Sequence, residues 1–257
     1  MNDLYSYKKK FLWSSYASRY KEDKRALCED DVSGLLRWYF RTEDLPDSNS
    51  SETIMLCANR AYGDLCRNLH GIAGNQQKDF WKEAILSKIV QWVNCIDCYP
   101  DFDLWHRNTC DDIINCADEV YPIKYGIAQK WVNMTLKYLL ICGYEFKEKE
   151  RCLHVPIDSY IYKAFACKQS ENKYALFCQK APVFHEGEGP GNLDYYKEDG
   201  NNRTQPWSKL NRSDYISLQI AIREAVASLY ASPIEWEGPA WIAQAKIEKA
   251  KRNKKRK

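Results

Sequence analysis

The sequence has no apolar run of about 18 residues, and it therefore predicts no transmembrane helix. Its first ten residues are mostly polar or charged and lack the apolar core of a signal peptide. No internal repeat is present, and segments with the alternating pattern of β-strands are sparse. These absences predict an all-α protein of the cytoplasm that has no membrane partner.

Cysteine is abundant, but its distribution is irregular. The sequence has 11 cysteines, an odd number, and no secretion signal accompanies them. This usage predicts reduced thiols that pack as small hydrophobic side chains. A zinc site is the alternative, because a pair two residues apart is followed by two further thiols. Its ligands would be Cys95, Cys98, Cys110 and Cys116. The spacing is loose for zinc, and we expect no metal and no cofactor.

Size and charge distribution indicate one large domain with a basic end. A chain of 257 residues can bury a substantial core, and its 9 Trp, 18 Tyr and 8 Phe supply both a core and spare aromatics for a cleft. The net charge is +3, yet residues 246–257 carry eight Lys or Arg and one Glu. We expect residues 1–245 to form a single α-helical unit and 246–257 to form a solvated tail. Non-specific attraction of this tail to nucleic acid is the alternative.

Helical periodicity covers most of the chain. Apolar residues recur at intervals of three and four residues, which predicts amphipathic helices. The predicted helices cover residues 4–40, 53–70, 78–95, 111–119, 127–142, 156–167 and 213–230. Residues 184–207 are rich in glycine, asparagine and acidic residues and have no such period. We expect them to form a mobile loop beside a functional site.

A glycine turn before helix 127–142 is the first candidate binding element. A turn centred on Gly126 between two helices would aim backbone N–H groups outward, where a phosphate can bind without sequence preference. Lys124 and Lys130 flank this turn, and Lys137 lies further along the polar face of the helix. Gly143 is expected to end the helix as a C-cap. Solvated lysines and a plain turn between helices are the alternatives.

One carboxylate stands out downstream of this turn. Asp158 follows Pro156 by two residues, and we expect it in the first turn of the helix that begins there. A helix N-terminus favours the ionised form of such a side chain. Asp158 could equally be an ordinary acid at a helix start.

Two motifs, Tyr125–Gly126 through Lys130 and Val155-Pro156-Ile157-Asp158, resemble the helix-hairpin-helix, Gly/Pro-Asp superfamily of DNA base-excision glycosylases. The resemblance implies a helical fold of two lobes with a cleft, in which residues 116–168 hold the hairpin and the catalytic acid Asp158. It implies DNA contacts from the hairpin and the helix that follows. These contacts are Lys124, Tyr125, Gly126, Ile127 and Lys137.

The resemblance also implies a chemistry. Breaking an N-glycosidic bond develops positive charge on the sugar, which a carboxylate can stabilise. The target base is flipped into a pocket, part of which comes from the C-terminal helix 213–230. Candidate pocket residues are Trp207, Tyr215, Gln219 and His154. Bifunctional members have a lysine two residues after the hairpin glycine, where this sequence has Ala128. The resemblance therefore implies a monofunctional enzyme, with Lys130 as the alternative imine-forming residue.

The sequence thus predicts a monomeric DNA glycosylase that removes a damaged or modified base and leaves an abasic site. Spare aromatics and the 184–207 loop favour a bulky base, such as a hypermodified base of phage DNA, which would make the protein an antiviral defence enzyme. A non-catalytic helix-hairpin-helix DNA-binding module is the first alternative. A protein-interaction domain is the second. Tyr215 and Gln219 could also be core or surface residues, and His154 a structural histidine.

Overall fold

The computed structural model describes residues 2–69, 75–118, 123–166, 172–174, 176 and 207–254. This part of the chain is helical and has no β-strand, which confirms the all-α prediction. Its α-helices are α1 (Asn2–Ala17), α2 (Val32–Phe40), α3 (Ser51–Leu65), α4 (Asn75–Asn94), α5 (Phe102–Asp118), α6 (Tyr125–Cys142), α7 (Ser159–Ala166), α8 (Arg212–Val226) and α9 (Pro233–Lys254). Within the same residues, no helix is both long and apolar enough to cross a bilayer. Residues 184–206 of the expected loop and 255–257 lie outside the described residues.

Helix α6 is the centre of the fold. Every residue from Tyr125 to Ile141 is buried, because α3, α5, α8 and a 3-10 turn at Trp207–Lys209 pack around this helix. The alternative of solvated lysines is therefore wrong for Lys130 and Lys137, which are only 7% and 2% exposed. A helix with such a polar stripe is normally exposed on that side, so the polar side chains of α6 need partners inside the protein.

Aromatic side chains hold α6 to its neighbours. The ring of Trp131 lies 4.8 Å from that of Trp81 on α4 and 5.1 Å from that of Tyr62 on α3, measured between centroids. The indole nitrogen of Trp131 donates to the carbonyl of Ala58 at 3.0 Å, and that of Trp81 donates to Ile113 at 3.3 Å. Each buried indole therefore combines a large apolar area with a satisfied N–H group.

The predicted turn at Gly126 is wrong. Gly126 lies in the first turn of α6, and its N–H donates to the carbonyl of Leu210 at 3.0 Å. A Cβ atom at this position would lie 2.0 Å from the carbonyl oxygen of Trp207. Glycine is needed here because another segment of backbone crosses the helix in contact with it. The amide that was expected to face a phosphate is used inside the protein.

The predicted end of this helix is confirmed. Gly143 has φ of 90°, in the left-handed region, and its N–H donates to Leu140 at 3.1 Å. The next N–H, from Tyr144, donates to Leu139 at 2.9 Å. These two bonds satisfy carbonyls at the end of the helix and turn the chain away from its axis.

The basic end of the chain is helical. Residues 246–254 form the last turns of α9, so the prediction of a separate tail from residue 246 is wrong for these residues. Other boundaries also move: α5 begins at Phe102 instead of residue 111, and the 4–40 segment contains two helices, α1 and α2. The α9 helix packs on both α1 and α7, which brings the two ends of the described chain together.

The described cysteines are free thiols, as expected, but few of them are buried as expected. Of the nine described cysteines, only Cys57 and Cys110 are buried, and all nine are free. Cys98 is exposed, whereas Cys95 and Cys116 are partly exposed. Among the residues that the structure describes, no group of three or more His, Cys, Asp or Glu side chains could hold a metal ion.

The close backbone crossing at Gly126 predicts opposite effects of alanine at two helical glycines. Gly126→Ala should lower the free energy of unfolding by about 2–3 kcal/mol, because a methyl group would collide with the Trp207 carbonyl. Gly63→Ala, at an exposed position of α3 whose nearest neighbour would be an Arg60 nitrogen 3.9 Å away, should raise it by about 0.5–1 kcal/mol. Urea titration followed by circular dichroism measures both. Equal stability of Gly126→Ala and the unchanged protein would contradict the crossing.

Candidate functional site

A large cavity lies beside one face of α6. Its volume is about 2320 Å³, and α1, α6 and α9 supply much of its lining. Ten Lys or Arg residues and five Asp or Glu residues line it, together with eleven aromatic residues. The excess of positive charge favours an anionic ligand, and the aromatic side chains offer faces on which a planar group can stack.

Asp158 lies on the lining of this cavity as the N-cap of α7. Its Oδ1 atom accepts from the backbone N–H groups of Tyr160 at 2.9 Å and Ile161 at 3.0 Å. Its Oδ2 atom accepts from Lys130 Nζ at 3.0 Å and from the indole nitrogen of Trp241 at 2.9 Å. The helix begins at Ser159, so Asp158 precedes the first turn in which it was expected. The capping alternative is thus confirmed as part of its role.

The four donors determine the charge of this carboxyl group. Burial alone would raise the pKa of Asp158, but the positive charge of Lys130 and the bonds from Ile161 and Trp241 lower it below its ordinary value. Asp158 is therefore ionised at neutral pH. Its side chain is 16% exposed, towards the cavity that it lines. The arrangement provides a fixed negative charge and excludes a role for Asp158 as a proton donor.

Lys130 is the second charged group at this position. Its side chain is 9% exposed, and its Nζ atom lies 5.9 Å from the ring centroid of Trp207, close enough for a cation–π contact. The ammonium, the carboxylate and the indole therefore form one cluster on the cavity lining. Of the predicted pocket residues, Trp207 is the one that the structure brings to this cluster.

Two glutamine side chains hold the segment that leads into Asp158. Gln129 on α6 accepts from the N–H of Ile157 at 3.3 Å and donates to its carbonyl at 3.1 Å. Gln219 on α8 accepts from the N–H of Val155 at 3.1 Å and donates to its carbonyl at 2.7 Å. The amides therefore satisfy buried backbone that belongs to no helix. They fix the chain immediately before the carboxylate.

A chain of polar groups continues inward from this segment. Asn133 donates through Nδ2 to the Tyr215 hydroxyl at 2.8 Å, so that the hydroxyl is free to donate to His154 Nδ1 at 2.7 Å. The other ring nitrogen of His154, Nε2, lies 2.7 Å from Asp103 Oδ1 and also contacts the guanidinium of Arg223. His106 is bonded to the other side of Asn133 at 2.9 Å. This network is internal, and none of its members lines the cavity.

The interpretation of Tyr215, Gln219 and His154 as base-pocket residues is therefore wrong. All three are at most 1% exposed and have their polar atoms bonded to protein groups. The structural alternative is confirmed for His154, and the core alternative for Tyr215 and Gln219. Their polar character reflects the need to satisfy buried backbone and ring nitrogens.

Most of the predicted DNA-contact residues are also internal. Tyr125 and Ile127 are 4% and 1% exposed, because α6 begins inside the fold. Lys137 bonds both carboxylate oxygens of Glu237 on α9, at 2.9 and 2.7 Å. Lys124, the N-cap position of α6, is exposed.

Sequence reasoning missed Trp241, Gln129 and Asn133. Glutamine and asparagine at an interval of four residues, inside an otherwise apolar helix, could have indicated a buried network. Nothing in the local sequence of Trp241 indicates its contact with Asp158, since 83 residues separate them.

We expect Gln129 to contribute strongly to stability. Gln129→Leu would leave the N–H and carbonyl of Ile157 without their side-chain partner, and the free energy of unfolding should fall by about 2–4 kcal/mol. Gln91→Leu, at an exposed position of α4, should change it by less than about 0.5 kcal/mol. Urea titration of both variants measures the difference. A similarly small effect of both substitutions would show that the bonds between Gln129 and the Ile157 backbone contribute little to stability.

The buried histidines predict a loss of stability in mild acid. Burial lowers the pKa of His154 to about 4, and it also lowers the pKa of His106, where the charge of His154 adds to the effect. In the unfolded chain a histidine has a pKa of about 6.5, so the unfolded state binds more protons between these values. From pH 7 to pH 5 the free energy of unfolding should fall by about 2 kcal/mol from His154 alone. Asp103 and Asp158 have lowered pKa values. Their protonation therefore reduces the free energy of unfolding only below about pH 4.

Urea titrations at the two pH values test this expectation. His154→Gln should show a smaller decrease than the unchanged protein, because only His106 still contributes. A stability that is equal or higher at pH 5 would contradict the assignment of neutral buried histidines.

Comparison with known proteins adds no relative. No protein-family model matches the sequence, and neither the curated proteins nor the solved structures gave a match. The function is therefore inferred from the contacts and charges of the cavity.

Proposed function

We propose that this protein is a DNA glycosylase, which hydrolyses the N-glycosidic bond of a flipped-out base and leaves an abasic site. The observation that supports this most is the position of Asp158. It is an ionised carboxylate, held by four donors, on the lining of a cavity far larger than a nucleobase. This is the site that the resemblance to the Gly/Pro-Asp glycosylases predicts for the catalytic acid.

The chemistry requires a negative charge beneath the sugar. As the bond to the base breaks, positive charge develops on the sugar ring, and a fixed carboxylate stabilises it. The four hydrogen bonds to Asp158 occupy about as many acceptor positions as a carboxylate offers. Asp158 therefore acts mainly through its charge. To orient the attacking water, its Oδ2 atom would have to exchange Lys130 or Trp241 for that water.

Lys130 supports this role in the monofunctional reaction. Its ammonium lowers the pKa of Asp158 and so maintains the charge that the sugar cation needs. The alternative is attack of the neutral amine on the sugar, which would form an imine with the opened sugar. Because Lys130 lies beside Asp158, we expect Lys130 to be the lysine that reacts in that case.

The remaining lining fits a flipped base and its DNA. Trp207, Tyr160 and Trp241 lie around Asp158 on the cavity lining and could stack on a base. In this proposal the cavity is the cleft of a two-lobed helical enzyme, and its size leaves room for a bulky base. A hypermodified base of phage DNA fits this volume, and the protein would then act in antiviral defence.

Loss of the charge at Asp158 should abolish excision. Asp158→Asn is expected to slow the release of base by at least about a hundredfold, because it removes the stabilising charge. Asp31→Asn is the matched control: Asp31 also caps a helix, α2, through a bond to Gly34 and does not line the cavity. Genomic DNAs with different base modifications are incubated with each protein and treated with a reagent that cleaves abasic sites, and the breaks are counted.

The outcomes of this assay distinguish the glycosylase from a non-catalytic DNA-binding module and from an imine-forming enzyme. Breaks that persist undiminished in Asp158→Asn would contradict the catalytic proposal. DNA binding without breaks on any substrate would favour the non-catalytic module. Borohydride should trap no covalent complex with a monofunctional enzyme, and a complex that disappears in Lys130→Arg would establish the imine mechanism instead.

A further inference from the structure

The beginning of α6 does not provide a surface for the DNA backbone, so the proposed function needs a phosphate-binding element elsewhere. The N–H of Gly126 is bonded to Leu210, and Tyr125 and Ile127 are buried. A glycosylase that flips a base must nevertheless grip the phosphates on either side of it. Positive side chains that line the same cavity as Asp158 are the groups to consider.

One face of α9 has the required groups. Lys246, Lys249 and Arg252 recur every three residues, so they lie along one side of the helix, and all three are exposed and line the cavity. Among the described residues none of them forms an ion pair, whereas the neighbouring Glu248 is bonded to Lys163 at 2.9 Å. Their charges are therefore available to a ligand.

The distances along α9 suit a nucleic-acid strand. Trp241 of this helix donates to Asp158, and at a rise of about 1.5 Å per residue Lys246 lies about 7.5 Å further along the axis. From Lys246 to Arg252 the axis advances by about 9 Å, whereas a DNA strand carries a phosphate every 3.4 Å or so of its axis. The face thus covers two to three nucleotides next to the one at Asp158.

Another part of the cavity lining has the same sign of charge. Helix α1 packs on α9 and contributes Lys10, and the turn that follows α1 contributes Arg19; both side chains are exposed. Arg19 stacks on the ring of Trp38 at 5.8 Å, which limits the orientations of its guanidinium. The cavity lining therefore carries cations from α9, from α1 and from the turn after α1, as an electrostatic funnel for a polyanion would.

We propose that the face formed by Lys246, Lys249 and Arg252 on α9 is the phosphate-binding surface of this protein and replaces the hairpin at α6. The proposal rests on the proposed function for the position of the flipped nucleotide. In this proposal the basic C-terminal sequence is a helical surface with regularly spaced cations. Trp241 lies between this surface and the carboxylate of Asp158.

The salt dependence of DNA binding tests this surface. Binding of a fluorescein-labelled duplex of 20 or so base pairs is measured by fluorescence anisotropy between 50 and 200 mM salt. Loss of two phosphate contacts in Lys249→Gln/Arg252→Gln should reduce the slope of log K against log salt by about 1.8. The unchanged protein should then lose about tenfold more affinity than this variant over that range.

The matched control carries the same change of charge on the same helix. Lys251→Gln/Lys254→Gln alters two exposed cations of α9 that do not line the cavity, and it should keep the original slope. Circular dichroism confirms that both variants keep their helices. Equal slopes for the two variants would overturn the assignment of the α9 face.

Excision and binding together separate the two proposals. If the protein excises bases while Lys249→Gln/Arg252→Gln binds as tightly as before, the α9 surface is wrong and the enzymatic proposal stands. If the expected change in slope occurs but no DNA is cut, the surface stands and the glycosylase fails. An absence of DNA binding by the unchanged protein overturns both.

Discussion

The structure depends on the burial of a helix that carries polar side chains. From Tyr125 to Ile141 α6 has no exposed residue, yet it contains glutamine, asparagine, threonine and two lysines. Each buried polar group must have a partner, because an unsatisfied one costs about 1–3 kcal/mol. The partners belong to other parts of the chain: the segment before α7, helix α8 and helix α9. Hydrogen bonding by α6 therefore fixes the relative positions of the elements that form the cavity.

The candidate site follows from this constraint. Residues 155–157 are buried and belong to no helix, so their backbone groups need acceptors and donors from side chains. Gln129 and Gln219 supply them. The held segment ends at Asp158, and α7 begins at the next residue. The same side chain then caps the helix and pairs with Lys130. One residue thus combines a structural role with a charge that faces a cavity.

Much of the fold was predictable from sequence, and the site was predictable only in part. Most helices and the Gly143 cap follow from local periodicity and turn chemistry, but helix α9 was not predicted, α5 begins at Phe102 instead of residue 111, and the 4–40 segment is two helices. The turn predicted at Gly126 was wrong because a glycine required by a backbone crossing cannot be distinguished in sequence from one required by a turn. Tyr215 and Gln219 misled because a polar residue on a helix flank can face solvent, a ligand or a buried backbone. Only the packing of α8 against the 155–157 segment decides between these, and that packing is not local.

Two lysine–carboxylate pairs lie on the same face of α6, and they differ in exposure and in the number of donors to the carboxylate. Lys130 and Lys137 are two turns apart, and they pair with Asp158 and Glu237. Glu237 is 1% exposed and bonded by both oxygens to its lysine, which is the geometry of a pair that holds α9 against α6. Trp241 lies one turn further along α9 from Glu237, so this pair also positions the indole that donates to Asp158. Both pairs line the cavity, but Asp158 keeps 16% of its side chain exposed there and accepts hydrogen bonds from four donors.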